Sequence, residues 1–283
     1  MTWGLALSGG IALGLANAGV AEALEEEGLR PDFLAGSSMG AVIGALYALG
    51  HPIADLKKLL RQLKPWNAVR WSDAPLRGGL QGGLLQQNLR EHLGEFAGDA
   101  RVGDCRIPFV CVAGEVTGKV AWQRLFEPGF MAEFRRHIRP YVFPPETRVL
   151  DALMATSAIP VVFSPVRIGD RLFVDLGATG AIPSLQMRDA FRPDVLVCTD
   201  TAPRYGTLRD LFPRLLSELA RESEADLRAG REACDLVITP PPAAGFLRFD
   251  KGEAFAAAGR KATMEALPAL RTLLGRPAGG GQA

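Results

Sequence analysis

The sequence predicts an α/β fold, a three-layer α/β/α sandwich around a mostly parallel central sheet, and three observations carry that reading. Apolar runs of strand length alternate with helical stretches along most of the chain, which is how βα units build a layered sheet. Hydrophobic residues make up 48% of the sequence, enough to cover both faces of a parallel sheet. Two early apolar runs end in glycine-containing turns that open directly into helices, placing candidate chemistry where such sheets carry it, at the carboxyl ends of strands.

Taken in order, residues 5–7 form the first strand, which enters the turn Ser8-Gly9-Gly10-Ile11-Ala12-Leu13-Gly14 and a helix through Ala21, Leu24 and Gly28. Phe33, Leu34 and Ala35 give the second strand, and Ala41, Val42, Ile43, Ala45, Leu46 and Tyr47 the next helix. A helix at 54–63 precedes an irregular segment, 65–85, holding Trp66, Trp71 and repeated glycines. That segment reads either as an entrance suited to a lipid interface or as a loop whose tryptophans pack inward. Strands are expected at 107–113 and 119–124, helices at 129–138 and 149–157, and a hairpin joins 166–168 to 172–174 through Gly169-Asp170. A buried strand at 195–199, a helix at 208–230, a short strand at 236–238 and a helix at 251–274 complete the order. One domain over 1–275 is expected, with 276–283 a glycine-rich, disordered tail.

The run Gly36-Ser37-Ser38-Met39-Gly40 is a G-x-S-x-G sequence between a strand and a helix. A serine at so sharp a turn exposes its Oγ, the glycines at 36 and 40 make room, and the helix N-terminus favours negative charge on the oxygen. Ser38 is therefore the candidate nucleophile. Its base is constrained by the histidine inventory of His51, His92 and His137. None follows residue 137, His51 falls at the far end of the helix after Ser38, and the other two lie in charged stretches. A carboxylate is left, and Asp175 is the candidate, because it follows the apolar strand Leu172-Phe173-Val174 directly. The competing reading of Asp175 is a helix or turn cap. In the first turn, the backbone N–H groups of Gly9, Gly10 and Ile11 are candidates for an oxyanion hole. A dinucleotide site competes there, but the spacing G-G-x-x-x-G and the lack of an acidic residue after the second strand disfavour it.

The ordered set resembles the patatin-like phospholipase family, over nearly the whole chain from the first strand to about residue 274. The carrying residues are Gly9-Gly10-Ile11-Ala12-Leu13-Gly14, the elbow from Gly36 to Gly40, and Asp175-Leu176-Gly177. Pro108 to Gly118 and Ala155-Thr156-Ser157-Ala158-Ile159-Pro160, ahead of Phe163-Ser164-Pro165, are similar too. The resemblance implies a Ser-Asp dyad in which Ser38 forms an acyl-enzyme and Asp175 is the general base, acting on lipid esters. The chain departs from the family pattern where Ile11 replaces a third loop glycine, Leu13 an Arg or Lys, Leu176 the glycine after the base, and Ala181 a downstream Asn. The expected activity is that of a lipase or esterase of phospholipase type. An impaired lipid-binding or regulatory protein on the same fold is the alternative.

A formal charge of +1 argues against a nucleic-acid partner and against recruitment by net charge. Cys105, Cys111, Cys198 and Cys234 show no metal-type spacing and read as buried free thiols of a reducing compartment. No metal or cofactor is expected. The first charged residue is Glu22, yet glycines interrupt the uncharged start and no basic segment precedes it, so a strand, turn and helix explain it better than a leader or a span. A soluble, cytoplasmic protein with peripheral membrane contact at most is the expectation.

Overall fold

The computed structural model describes residues 1–62, 84–118, 120–121, 124, 127, 129–160, 163–176, 182–202, 215–246 and 248–275. The expected entrance at 65–85 lies outside them up to residue 83, as do Gly177, Ala181 and the whole of 276–283.

Eight strands form one sheet. They are β1 (Trp3–Leu7), β2 (Phe33–Ser37), β3 (Phe109–Val116), β4 (Ile138–Val142), β5 (Val166–Ile168), β6 (Arg171–Val174), β7 (Val195–Thr199) and β8 (Leu236–Ile238). Their order is β5-β6-β3-β2-β1-β7-β8, with β4 paired to β3. The run from β3 through β2, β1 and β7 to β8 is parallel, and β4, β5 and β6 join antiparallel. The helices are α1 (Ala16–Glu26), α2 (Ser38–Leu49), α3 (Ile53–Gln62), α4 (Leu84–Ala97), α5 (Phe130–Arg136), α6 (Val149–Thr156), α7 (Ser184–Phe191), α8 (Leu215–Glu232) and α9 (Gly252–Leu273).

Strand periodicity divides the apolar residues into two cores. Leu5, Leu7, Leu34, Phe109, Cys111 and Val197 face one side, where α2 supplies Ile43 and Leu46 and α9 supplies Phe255 and Leu270. Their alternates Ala6, Ala35, Val110, Val112 and Leu196 face the other, against Phe130 and Phe134 of α5, Met187 of α7 and Leu227 of α8. That is the three-layer sandwich. Helix α2 carries no charged side chain and is buried along nearly its whole length, as an all-round apolar helix must be.

Some local expectations are corrected. Residues 129–138 are not one helix: α5 stops at Arg136, and β4 begins at Ile138. The run Arg135-Arg136-His137-Ile138-Arg139 reads as helical by charge, but β4 has exposed residues and Pro140, which suit a strand with little to bury. Of the strand expected at 119–124, residues 120, 121 and 124 are described and none is in a strand. The sequence reading assigned neither α7 nor the full extent of α4.

The cysteine reading is also corrected. Cys198 of β7 and Cys234, just beyond α8, form a disulfide with Cα atoms 6.1 Å apart, inside the ordinary span for such a bond. Their separation of 36 residues gives no local signature, and the inference of a reducing compartment loses the support it drew from four free thiols. Cys105 and Cys111 are free. Burial, then the charge of Asp104, pushes the Cys105 thiol up to about 12, and burial raises Cys111 as well. Protein kept without reductant should therefore show no fast thiol toward a disulfide reagent at pH 8. After denaturation it should show Cys105 and Cys111 only, and Cys198 and Cys234 should appear on reduction. Because the folded pKa is raised, stability from these thiols is intact below about pH 9 and falls as pH climbs toward 12. All four titrating in unreduced, denatured protein would remove the disulfide.

Candidate active site

Strand β3 acts as the ruler that brings Ser38 and Asp175 together. Ser37 of β2 pairs in parallel with Val112, whereas Val174 of β6 pairs antiparallel with Gly114. One further residue along each strand brings both to the level of Ala113. There Ser38 Oγ donates to Asp175 Oδ2 at 2.6 Å, with both residues buried. That direct contact between a hydroxyl and a carboxylate is the geometry a nucleophile and its base require.

Ser38 opens α2 with φ of 51°, a left-handed backbone that costs an L-residue about 1–2 kcal/mol. The two elbow glycines permit the crowding around it. A Cβ on Gly36 would lie 2.4 Å from Ala41 Cα, and one on Gly40 would lie 2.2 Å from the Leu7 carbonyl oxygen. The amide of Ser38 donates to Thr156 Oγ1 at 2.8 Å, and Thr156 Oγ1 donates onward to the Val112 carbonyl at 2.5 Å. Two residues further, the Ala158 carbonyl accepts from the Asp175 amide at 2.9 Å. The stretch from Ala155 to Pro160, which carried no assigned role in the sequence, thus holds the backbones of both site residues.

The turn after β1 is tied to the end of β7. Ser8 N–H donates to Thr199 Oγ1 at 2.9 Å, Thr201 N–H donates to Ser8 Oγ at 2.8 Å, and Thr201 Oγ1 donates to the Gly9 carbonyl at 3.1 Å. A Cβ on Gly10 would sit 2.1 Å from the Thr201 carbonyl oxygen. This glycine therefore serves close backbone packing against the chain leaving β7. Among the described residues, the amides of Gly9, Gly10 and Ile11 donate to no acceptor. Three unpaired donors in one turn are the raw material of an anion site.

The departures sort differently from their appearance in the sequence. Leu176 lies outside the left-handed region, so its backbone is unstrained by the side chain, which is buried. Ile11 is at φ of 54°, where a β-branched side chain is an outlier and glycine is the usual solution. Leu13 is half-buried and packs against the core. The histidines are elsewhere. His51 rings Asp55 and the Phe96 carbonyl, and His137 contacts the Thr117 carbonyl. No group of three or more His, Cys, Asp or Glu suited to a metal occurs among the described residues.

Replacing Thr156 by valine keeps the volume and removes both hydrogen bonds. Each buried group left unsatisfied costs about 1–3 kcal/mol, so Thr156→Val should lower the denaturation midpoint clearly, whereas Thr156→Ser should hold most of it. Equal midpoints for Val and Ser would show that the hydroxyl does not hold the elbow.

A family model described as patatin-like phospholipase matches residues 5–186. An uncharacterised NTE family protein of Mycobacterium bovis is 27% identical over 239 residues, 82% of this chain and 59% of that protein. A lysophospholipase of Candida glabrata is 24% identical over 214 residues, 72% of this chain and 11% of that one. The chain thus spans well under two thirds of the length of these relatives. The crystal structure of VipD from Legionella pneumophila shares the fold, with a TM-score of 0.51 at 15% identity over 95% of this chain and 67% of that one. With the family model matched across β1, the elbow and the residues around Asp175, the chain belongs to the patatin-like phospholipase family.

Proposed function

We propose that the chain is a serine acyl hydrolase of lipid esters, with Ser38 as nucleophile and Asp175 as general base. The observation that carries this is the buried 2.6 Å bond from Ser38 Oγ to Asp175 Oδ2. Asp175 accepts the hydroxyl proton as Oγ attacks the ester carbonyl. The charge that develops on the carbonyl oxygen is met by the amides of Gly9, Gly10 and Ile11, aided by the N-terminus of α2. The proton then passes to the leaving alkoxide, which departs as an alcohol and leaves the acyl group on Ser38. Water, deprotonated by Asp175, attacks the acyl-enzyme and frees the carboxylic acid, restoring Ser38 as its proton returns. No cofactor enters this sequence.

Membership of the family and the lysophospholipase name of the yeast relative make a single-chain phospholipid the first substrate to offer. Among the described residues no helix is long and apolar enough to cross a membrane, and we read the enzyme as meeting its substrate by peripheral contact. The strained Ile11 and the uncharged Leu13 favour one second reading, a protein that binds lipid with its chemistry reduced.

Labelling by a fluorophosphonate separates the two, because it requires an activated serine. Ser38→Ala should abolish both labelling and hydrolysis of a short p-nitrophenyl ester. Asp175→Asn should lower kcat by about 10²–10⁴-fold, the usual worth of a general base. Hydrolysis undiminished in Ser38→Ala would end the assignment.

The two altered loop positions should respond and the residue after the base should not. Ile11→Gly relieves left-handed strain of about 1–2 kcal/mol, less about 0.5–1 kcal/mol for glycine's added freedom in the unfolded chain, so a slightly higher midpoint is expected. Leu13→Arg adds charge near the turn and should raise turnover more than Leu176→Gly, whose backbone is already relaxed. A larger gain from Leu176→Gly would mean that placement of the base limits the rate.

A further inference from the structure

A cavity of about 500 Å³ opens between α5, β4, α7 and α8, and its described lining includes Leu176 but neither Ser38 nor Asp175. Small-molecule sites commonly enclose about 300–1,000 Å³. One wall is cationic, with Arg135 and Arg136 from the end of α5 and Arg139 from β4. The described lining contains one carboxylate, Asp226, which is bonded to Arg135 at 2.5 Å. Among the described residues Arg136 makes no ion pair, and the one partner of the Arg139 guanidinium is the Ile138 carbonyl at 3.3 Å. A second part of the lining is apolar apart from Gln186. Leu176 and Ile182 are buried there, and Leu185 at its edge is 47% exposed. A single exposed leucine carries nothing by itself, but this one lines the same hollow as the arginines.

The two walls together restrict the occupant. A neutral lipid would cover guanidinium groups without pairing them, which is costly, and a small hydrophilic anion would leave Leu185 in water. A molecule with both parts gains on both sides, through forked hydrogen bonds from arginine to its oxygens and through apolar area withdrawn from water. We propose that this cavity is a second, non-catalytic binding site for an anionic amphiphile, with a carboxylate or phosphate head on Arg136 and Arg139 and an alkyl tail against Leu176, Ile182 and Leu185. It does not rest on the reading of Ser38 and Asp175.

The test is calorimetric titration of Ser38→Ala protein, which removes turnover, with sodium laurate and dodecyl phosphate below their micelle concentrations. Dodecyltrimethylammonium serves as a probe with the same tail and the opposite charge, and inorganic phosphate as a head-only probe. Saturable one-to-one binding of the two anionic amphiphiles is expected, at least tenfold weaker when Arg136→Gln and Arg139→Gln are added. Should that variant melt early, Leu185→Asp in the same background gives the same test, since it spoils the apolar wall at an exposed position. The proposal is overturned if the variants bind as tightly as the parent or if dodecyltrimethylammonium binds as well as laurate. It is equally overturned if inorganic phosphate binds as tightly as dodecyl phosphate, or if no saturable binding occurs.

Discussion

The left-handed backbone of Ser38 is the conformation around which the rest of this end of the molecule is arranged. A serine would not hold φ of 51° unaided, and such outliers persist only where their surroundings overdetermine them. Here the amide is fixed to Thr156 Oγ1, which is itself fixed to β3, and the helix that follows is buried on every side. With the backbone set in this way, the Oγ leaves the strand end toward Asp175 instead of capping its own helix. Neither hydroxyl of Ser37 nor Ser38 makes a capping bond to α2, so the usual use of a serine at a helix start has been given up in favour of the contact with Asp175.

The fold and the positions of Ser38 and Asp175 at strand ends were legible because their signals are local. Strand alternation, the G-x-S-x-G turn and an aspartate leaving an apolar strand each occupy fewer than ten residues, and periodicity reads such spans well. What could not be read depends on residues distant in sequence. Thr156 reaches Ser38 across 118 positions, and a threonine at the end of an apolar helix gives no sign of a distant partner. The disulfide was missed for the same reason. Strand β4 failed differently, because it buries little and its charges imitate a helix face, so the only features identifying it are its hydrogen bonds to β3. Which departure sits at a left-handed backbone, Ile11 and not Leu176, could not be read either, since the sign of φ is a property of the folded turn and the sequence gives only the side chain.

The left-handed backbone at Ile11 bears on how the turn after β1 works. Its carbonyls and hydroxyls are engaged with β7 and its later amides with its own short helix and with Phe246. Gly9, Gly10 and Ile11 are left with unpaired donors, and the left-handed twist at Ile11 is what separates them from the helix that begins there. The first amides of a helix have no partner within it, and Ile11 opens this one, so the three donors stand at a helix start whose left-handed entry glycine would hold at no steric cost.

Charge gives the same lesson at larger scale. A formal total of +1 is a sum over the chain and is blind to where charges sit, and fields act over about 8–10 Å in salt. Among the described residues several arginines are spent on exposed partners such as Asp99, Asp235 and Asp250, and pairs of that kind contribute about 0–1 kcal/mol each. At the junction of α5 and β4 three arginines share a wall with one aspartate. Arg135 and Arg136 end α5 and Arg139 stands on β4, on either side of His137, where the chain leaves the helix and turns into the strand. Positions three and four apart would share one face of an unbroken helix as well, so the gathering of positive charge belongs to the run Arg135-Arg136-His137-Ile138-Arg139 itself, whichever element carries it.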